Sequence, residues 1–309
     1  MKYAMLFPGQ GSQAVGMLAD CDPALVVRTF EEADEALGEK LSDLVTNGPA
    51  QTLNQTQHTQ PALLAAGIAV WRQWQAQNPP QPVAMAGHSL GEYTALVAAG
   101  SLDFADALRL VRTRGQLMQS AVPEGSGGMS AVIGLDDEKI SALCSQAPDG
   151  AVLEPVNFNA PGQVVVAGDI QGIQWLEANG KANGARMVKR LPVSVPSHCS
   201  LMQDAARQLQ EKLSTLNILP PAIAVRHNLD MQARTDADGI RQALAAQLHQ
   251  PVRWAGTIQS LADDGVRLFL ECGPGKVLCG LNKRIVKDAE SLNLDDPAKQ
   301  QQALDALNH

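Results

Sequence analysis

The sequence predicts an α/β fold: a large domain built on a mainly parallel sheet, with a small domain of order β-α-β-β-α-β inserted into it. Three observations carry this prediction. Short apolar runs alternate with amphipathic helical patterns from Lys2 to Val122, the texture of parallel strands joined by helical crossovers. A flexible stretch, Pro123-Glu124-Gly125-Ser126-Gly127-Gly128, then interrupts the pattern, and six shorter elements follow. Beyond Pro192-Val193-Ser194-Val195-Pro196-Ser197-His198 the longer helical periods return. The chain therefore divides into a discontinuous large domain, 1–124 and 196–309, and a small domain, 125–195.

Each element has its own local reason. Lys2 to Phe7 is a first strand that runs into the loop Pro8-Gly9-Gln10-Gly11-Ser12-Gln13. The glycines there permit backbone N–H groups or the Gln10 side chain to converge on a ligand, or form a simple connection. Helices are expected at Ala24–Leu37 and, after Thr59-Gln60-Pro61, at Ala62–Gln75. Pro82 to Ala86 is a short buried strand, Glu92 to Ala99 a helix stopped by Gly100, and Phe104 to about Val122 a longer helix. In the small domain, Met129–Leu135 is a strand and Asp136 caps a helix with an acidic first turn. Strands Ala151–Phe158 and Gln163–Ala167 follow, then Asp169 precedes a helix reaching Asn179, and Ala185–Leu191 is a last strand; this order is ferredoxin-like. Leu201–Leu216 and Ala237–Leu248 are helical by pattern. Leu268–Cys272 is a late strand, Gly273-Pro274-Gly275 a turn, and Val277 starts a helix. The tail beyond about Leu292 is polar and reads as loosely held.

Composition narrows the function. The 309 residues, 45% hydrophobic and 18% charged, suit a soluble globular enzyme with a substantial core, aliphatic because aromatics make up only 4%. A formal charge of −8 argues against nucleic acid as a partner. The N-terminal apolar stretch breaks at Pro8, too early for a signal peptide, and no run approaches a membrane span. Five scattered cysteines without CxxC spacing predict reduced thiols, a cytoplasmic location and no metal site. Nothing in the pattern demands more than a monomer.

The chemistry concentrates at Gly87-His88-Ser89-Leu90-Gly91. A serine between two glycines, after a strand and before a helix, is a nucleophile elbow: a strained turn that presents the hydroxyl above the sheet. It also aims the Leu90 N–H at the position where an oxyanion forms. Such a serine needs a base. The histidines are His58, His88, His198, His227, His249 and His309. His88 lies inside the turn and points away from its neighbour, and His309 is terminal. His198 is preferred, because Pro192 and Pro196 stiffen its approach and it sits at the seam between domains. Arg114 lies on the apolar stripe formed by Ala107, Leu110, Val111, Leu117, Met118 and Ala121. An arginine facing a core pairs with an internal Asp or Glu, or grips a substrate carboxylate in bidentate fashion.

Taken together the motifs resemble the malonyl-CoA:acyl carrier protein transacylase family of fatty-acid synthesis, over essentially the whole chain. They are Phe7-Pro8-Gly9-Gln10-Gly11-Ser12-Gln13, Gln60-Pro61-Ala62, Gly87-His88-Ser89-Leu90-Gly91-Glu92 and Arg112-Thr113-Arg114-Gly115, followed by Pro155-Val156-Asn157-Phe158-Asn159, Val193 to His198, and Gly273 to Leu278. The resemblance implies a hydrolase-like α/β core with a ferredoxin-like insertion. It implies Ser89 as nucleophile, His198 as base, Gln10 and the Leu90 amide as the oxyanion hole, and Arg114 as the holder of a malonyl carboxylate. Gln247 matches the position that orients the histidine where a triad would use a carboxylate. The implied reaction is ping-pong S-malonyl transfer from malonyl-CoA to the phosphopantetheine thiol of a holo acyl carrier protein. No tightly bound cofactor is implied, since coenzyme A enters as a thioester substrate.

Two rivals share parts of this pattern. A serine esterase or thioesterase needs an acid between serine and histidine in chain order, and Asp136, Asp137, Asp149 and Asp169 all fall in the inserted domain. With His227 or His249 as base, other acids become eligible. A non-catalytic carrier-protein-binding subunit would have no need of the intact set of Ser89, His198, Gln10 and Arg114. A carrier protein of this pathway is acidic, so an acidic enzyme needs a local basic patch; Lys189, Arg190, Lys276, Lys283, Arg284 and Lys287 are the candidates.

Overall fold

The computed structural model describes residues 1–193 and 195–308; Ser194 of the return segment and His309 among the histidines lie outside the described residues. The chain opens with β1 (Tyr3–Phe7), then helices α1 (Pro23–Leu37), α2 (Leu41–Asn47), α3 (Ala50–Leu53) and α4 (Thr56–Gln75). β2 (Ala84–Gly87), α5 (Gly91–Ala98) and α6 (Phe104–Ser120) follow. The next six elements are β3 (Gly127–Ile133), α7 (Asp137–Cys144), β4 (Leu153–Ala160), β5 (Gln163–Asp169), α8 (Ile170–Asn179) and β6 (Met187–Arg190). The chain continues through α9 (Gln203–Ser214), β7 (Val225–Arg226), α10 (Ala237–Gln247) and α11 (Trp254–Asp263). It ends with β8 (Leu268–Glu271), α12 (Val277–Ile285), β9 (Glu290–Asn293) and α13 (Pro297–Asn308).

Five strands form one fully parallel sheet in the order β7-β2-β1-β8-β9. β1 is central and every residue in it is buried, as a strand covered on both faces must be. Its side chains alternate: Tyr3, Met5 and Phe7 join the core under α4, α5 and α6, whereas Ala4 and Leu6 join the one beneath α11 and α12. The second sheet has four antiparallel strands in the order β4-β5-β3-β6. With α7 and α8 this is the ferredoxin-like arrangement expected from the sequence. One face of this sheet packs on its own two helices through Val132, Ile140, Leu143 and Leu176. The other, with Met129, Val156 and Val165, covers Cys199, the residue after the return segment 192–198. β4 is also tied by backbone to the segment between α10 and α11: Phe158 N–H donates to Val252 O at 3.0 Å, and Val252 N–H to Val156 O at 2.8 Å.

The structure corrects the sequence reading in two places. The tail is folded: β9 extends the parallel sheet and α13 buries Gln300, Ala303 and Leu307 on one face. Glutamines at the exposed positions had masked that periodicity. α4 starts at Thr56, not Ala62, with Pro61 inside it. The proline leaves the Gln57 carbonyl without its helical donor, and Arg112 Nη1 supplies one at 3.4 Å. Among the described residues no helix is long and apolar enough to cross a membrane, and all five cysteines are free and buried.

Candidate active site

Ser89 sits where β2 ends and α5 begins, at the C-terminal edge of the parallel sheet, the edge on which such sheets bind ligands. Both flanking glycines are sterically obligatory. A Cβ on Gly87 would lie 1.9 Å from the Gly91 carbonyl carbon, and one on Gly91 2.0 Å from Phe7 O. The turn holds Ser89 at φ +50°, a left-handed conformation that costs a non-glycine residue about 1–3 kcal/mol. The neighbouring Leu90 N–H, at the N-cap of α5, has no acceptor among the described residues. It is therefore available to an oxyanion.

His198 Nε2 lies 2.7 Å from Ser89 Oγ. Its Nδ1 faces the backbone carbonyl of Gln247 at 2.6 Å, and its own N–H donates to Leu248 O at 3.0 Å. Both acceptors are terminal carbonyls of α10, which lack intrahelical donors. A carbonyl only accepts, so Nδ1 carries the hydrogen and the Nε2 lone pair faces the serine hydroxyl. The negative end of the α10 dipole thus stands where a triad would place a carboxylate. Burial first, and the Arg114 cation second, push the imidazole down to about 3, so it is neutral near pH 7 and competent as a base.

Arg114 is fully buried on α6. Its guanidinium donates from Nη1 to Gln60 Oε1 at 2.8 Å, and from Nη2 to Gln247 Oε1 at 3.0 Å and Ser89 Oγ at 3.3 Å. Its carbon lies 5.3 Å from the Tyr93 ring centroid. No carboxylate among the described residues pairs with it, so the internal ion pair left open by the sequence is absent. The cation reaches the elbow because α6 packs closely on α4: a Cβ on Gly115 would lie 2.6 Å from Gln57 Cα.

Thus Ser89, His198, Arg114, Leu90 and Gln247 meet in one place. Gln10 stands at its rim, exposed, its Nε2 only loosely engaged with Thr56 Oγ1 at 3.4 Å and its Oε1 accepting from Gln60 at 3.5 Å. A cleft of about 780 Å³ beside it is lined largely by neutral amides, Gln13, Asn54 and Gln119 among them, and by Leu191 and Val193 of the return segment. His88 bonds Asn159 at 2.8 Å, His227 bonds the buried Glu92 at 2.7 Å and His58 bonds Arg112 at 3.2 Å; none of them is bonded to Ser89 Oγ. Gln247 differs in detail from expectation. Its backbone orients His198, while its side chain serves Arg114, Ser89 O and Glu92. Sequence reasoning gave no part to Gln60, Glu92 or Asn228. A lone acid on the otherwise apolar α5, and an Asn two residues past a short strand, were the available signals.

A strained serine, a neutral imidazole and an uncommitted cation around one oxygen atom define the class: an α/β protein equipped for serine-mediated acyl transfer. The chain belongs to the acyl transferase domain family, whose model matches residues 4–301. It is 53% identical over 300 residues to the malonyl CoA-acyl carrier protein transacylase of Haemophilus influenzae, covering 96% of each chain. The solved structure of the malonyl CoA-acyl carrier protein transacylase from Coxiella burnetii superposes with a TM-score of 0.98 at 45% identity, covering 100% of this chain and 98% of that one. A malonyl-transacylase solved in complex with its type II PKS acyl-carrier protein gives a TM-score of 0.97 at 48% identity, over 99% of this chain and 100% of that one.

Proposed function

We propose that this protein is a malonyl-CoA:acyl carrier protein S-malonyltransferase, acting in the cytoplasm without a tightly bound cofactor. Ser89 Oγ attacks the thioester carbonyl of malonyl-CoA while its proton passes to His198 Nε2. The Leu90 N–H and the Gln10 amide, which turns inward from its long contact with Thr56, receive the oxyanion. Collapse breaks the carbon–sulfur bond, and the departing CoA sulfur takes the proton from His198. The phosphopantetheine thiol of holo acyl carrier protein then attacks the malonyl-serine ester by the reverse proton path. Throughout, Arg114 exchanges its contact with Ser89 Oγ for the malonyl carboxylate, a planar fork meeting a planar anion.

The observation that carries this reading is the 2.7 Å contact between Ser89 Oγ and His198 Nε2, with the Arg114 cation 3.3 Å from the same oxygen. Family membership and the names of the relatives support the donor and the acceptor. The test is intact-mass measurement after incubation with malonyl-CoA. Wild type gains one malonyl group, loses it on addition of holo carrier protein, and Ser89→Ala gains none. An adduct that persists in Ser89→Ala overturns the assignment.

A further inference from the structure

Ser89 holds a left-handed backbone, and two side chains grip that backbone from outside the reaction path. Asn228 Oδ1 accepts from Ser89 N–H at 2.7 Å, while its Nδ2 donates to Gly87 O at 2.6 Å. One amide therefore bridges the residues before and at the nucleophile. Its orientation is fixed by chemistry, since Gly87 O only accepts and Ser89 N–H only donates. Gln247 Nε2 takes the opposite side of the same residue, donating to Ser89 O at 2.9 Å.

Both grips lead back to Glu92. Its carboxylate is fully buried and accepts from Asn228 N–H at 2.8 Å, Gln247 Nε2 at 3.0 Å and His227 Nδ1 at 2.7 Å. Asn228 is also fully buried and follows β7, the strand next to β2 in the sheet. It reaches the elbow from the adjacent strand end, not from within the turn. Because Ser89 N–H is occupied by Asn228, only the following amide, Leu90 N–H, is left to face an oxyanion.

We infer that Asn228, anchored by Glu92, is a positioning residue that holds Ser89 in its reactive conformation. The inference rests on Ser89 being the nucleophile as proposed above. Without the bridge the turn relaxes toward an ordinary backbone. Ser89 Oγ then leaves the 2.7 Å contact with His198, and the Leu90 N–H turns away. Acyl-group selection depends on this bridge only weakly: Arg114 is held by Gln60 and Gln247, and of these only Gln247 reaches Asn228, in a long 3.4 Å contact beside its shorter bonds to Ser89 O and Glu92.

The test compares wild type with Asn228→Ala, using malonyl-CoA and acetyl-CoA as donors and a fluorophosphonate probe that reacts with an activated serine. The expected result is a fall of about 10²-fold in the acylation kcat for both donors, with KM within about threefold, the cost of misplacing a reacting group by a fraction of an ångström. Fluorophosphonate labelling of the folded protein slows in parallel. A lower Tm with unchanged labelling and kcat overturns the inference, as does a loss confined to malonyl-CoA. If Asn228→Ala does not fold, Asn228→Asp keeps the acceptor for Ser89 N–H and replaces the donor to Gly87 O with a carboxylate oxygen that repels it. A drop of about tenfold in kcat and labelling is then expected, and wild-type values overturn the inference. Wild-type protein labelled by the probe yet acylated by neither thioester would overturn the proposed reaction, while the labelling comparison still decides the role of Asn228.

Discussion

Arg114 gives up two of its donors to neutral amide oxygens and faces no internal carboxylate, so its charge is held in place without being cancelled. Ion pairs in such surroundings are strong only when both members are present, which makes an incoming carboxylate the natural partner. Arg114→Ala is expected to lower kcat/KM for malonyl-CoA by 10²-fold or more, on the order of the effect of removing one charged contact in a buried site, while acetyl transfer changes little. Single-turnover acylation with both donors measures this, and an equal loss with both would make the residue structural. The same substitution has a second signature. His198 is pushed down by burial and then by the Arg114 cation, so the neutral base persists on the acid side. Removing the cation favours the imidazolium, and the acid limb of the pH profile for acetyl transfer moves to higher pH in Arg114→Ala. At this scale Ser89, His198 and Arg114 were legible because each breaks a local pattern: glycines around a serine, prolines around a histidine, a cation on an apolar stripe. Asn228 and Glu92 were not, since their use depends on which strand lies beside β2, and strand order is invisible in a linear pattern.

Elements place these groups by how closely they pack. α6 lies against α4 at Gly115, where any side chain would enter the Gln57 backbone. That approach lets Arg114 reach Gln60 on α4 and Ser89 on the elbow together. Gly115→Ala is expected to push the helices apart and cost about 1–3 kcal/mol of stability, the usual range for overpacking. Malonyl transfer should fall more than acetyl transfer, because Arg114 moves with its helix while Ser89 and His198 stay on other elements. Thermal unfolding together with the two donor assays reads both effects, and a stability loss with an unchanged donor ratio would separate the packing from the selection. The strands and amphipathic helices were legible from their apolar periods. The N-terminal turns of α4 were hidden by Pro61, whose missing hydrogen bond is compensated by Arg112 from a helix distant in sequence. α13 was hidden by its glutamines, although Gln300 is buried and donates to Leu294 O at 2.6 Å.

On the scale of the whole molecule, the small sheet packs on α11 through β4 and on Cys199 just after the return segment, and the protein that presents this seam is acidic, at −8. An acidic carrier protein must approach against that field unless positive charge is concentrated near its landing point. Of the basic residues singled out in the sequence, Arg190 is drawn to Glu177 at 2.8 Å, which removes much of its charge from use. Among the described residues Arg284 bonds only neutral groups, Pro161 O at 3.1 Å and the Gln163 side chain, so it joins α12 to the small sheet and keeps its charge. Lys276, Lys283 and Lys287 are exposed on or beside the same helix. This α12 group is the stronger candidate for steering the carrier protein. Lys283→Glu/Lys287→Glu is expected to reduce kcat/KM for holo carrier protein by about tenfold at low ionic strength, through a slower encounter. Raising salt from about 0.05 M to about 0.5 M shortens the screening length roughly threefold and should bring variant and wild type together. Self-malonylation by malonyl-CoA should change much less, since that donor meets the elbow without the carrier protein's extended surface. A variant that transfers to carrier protein at the wild-type rate at every salt concentration would move the landing site away from α12, to the opposite side of the cleft.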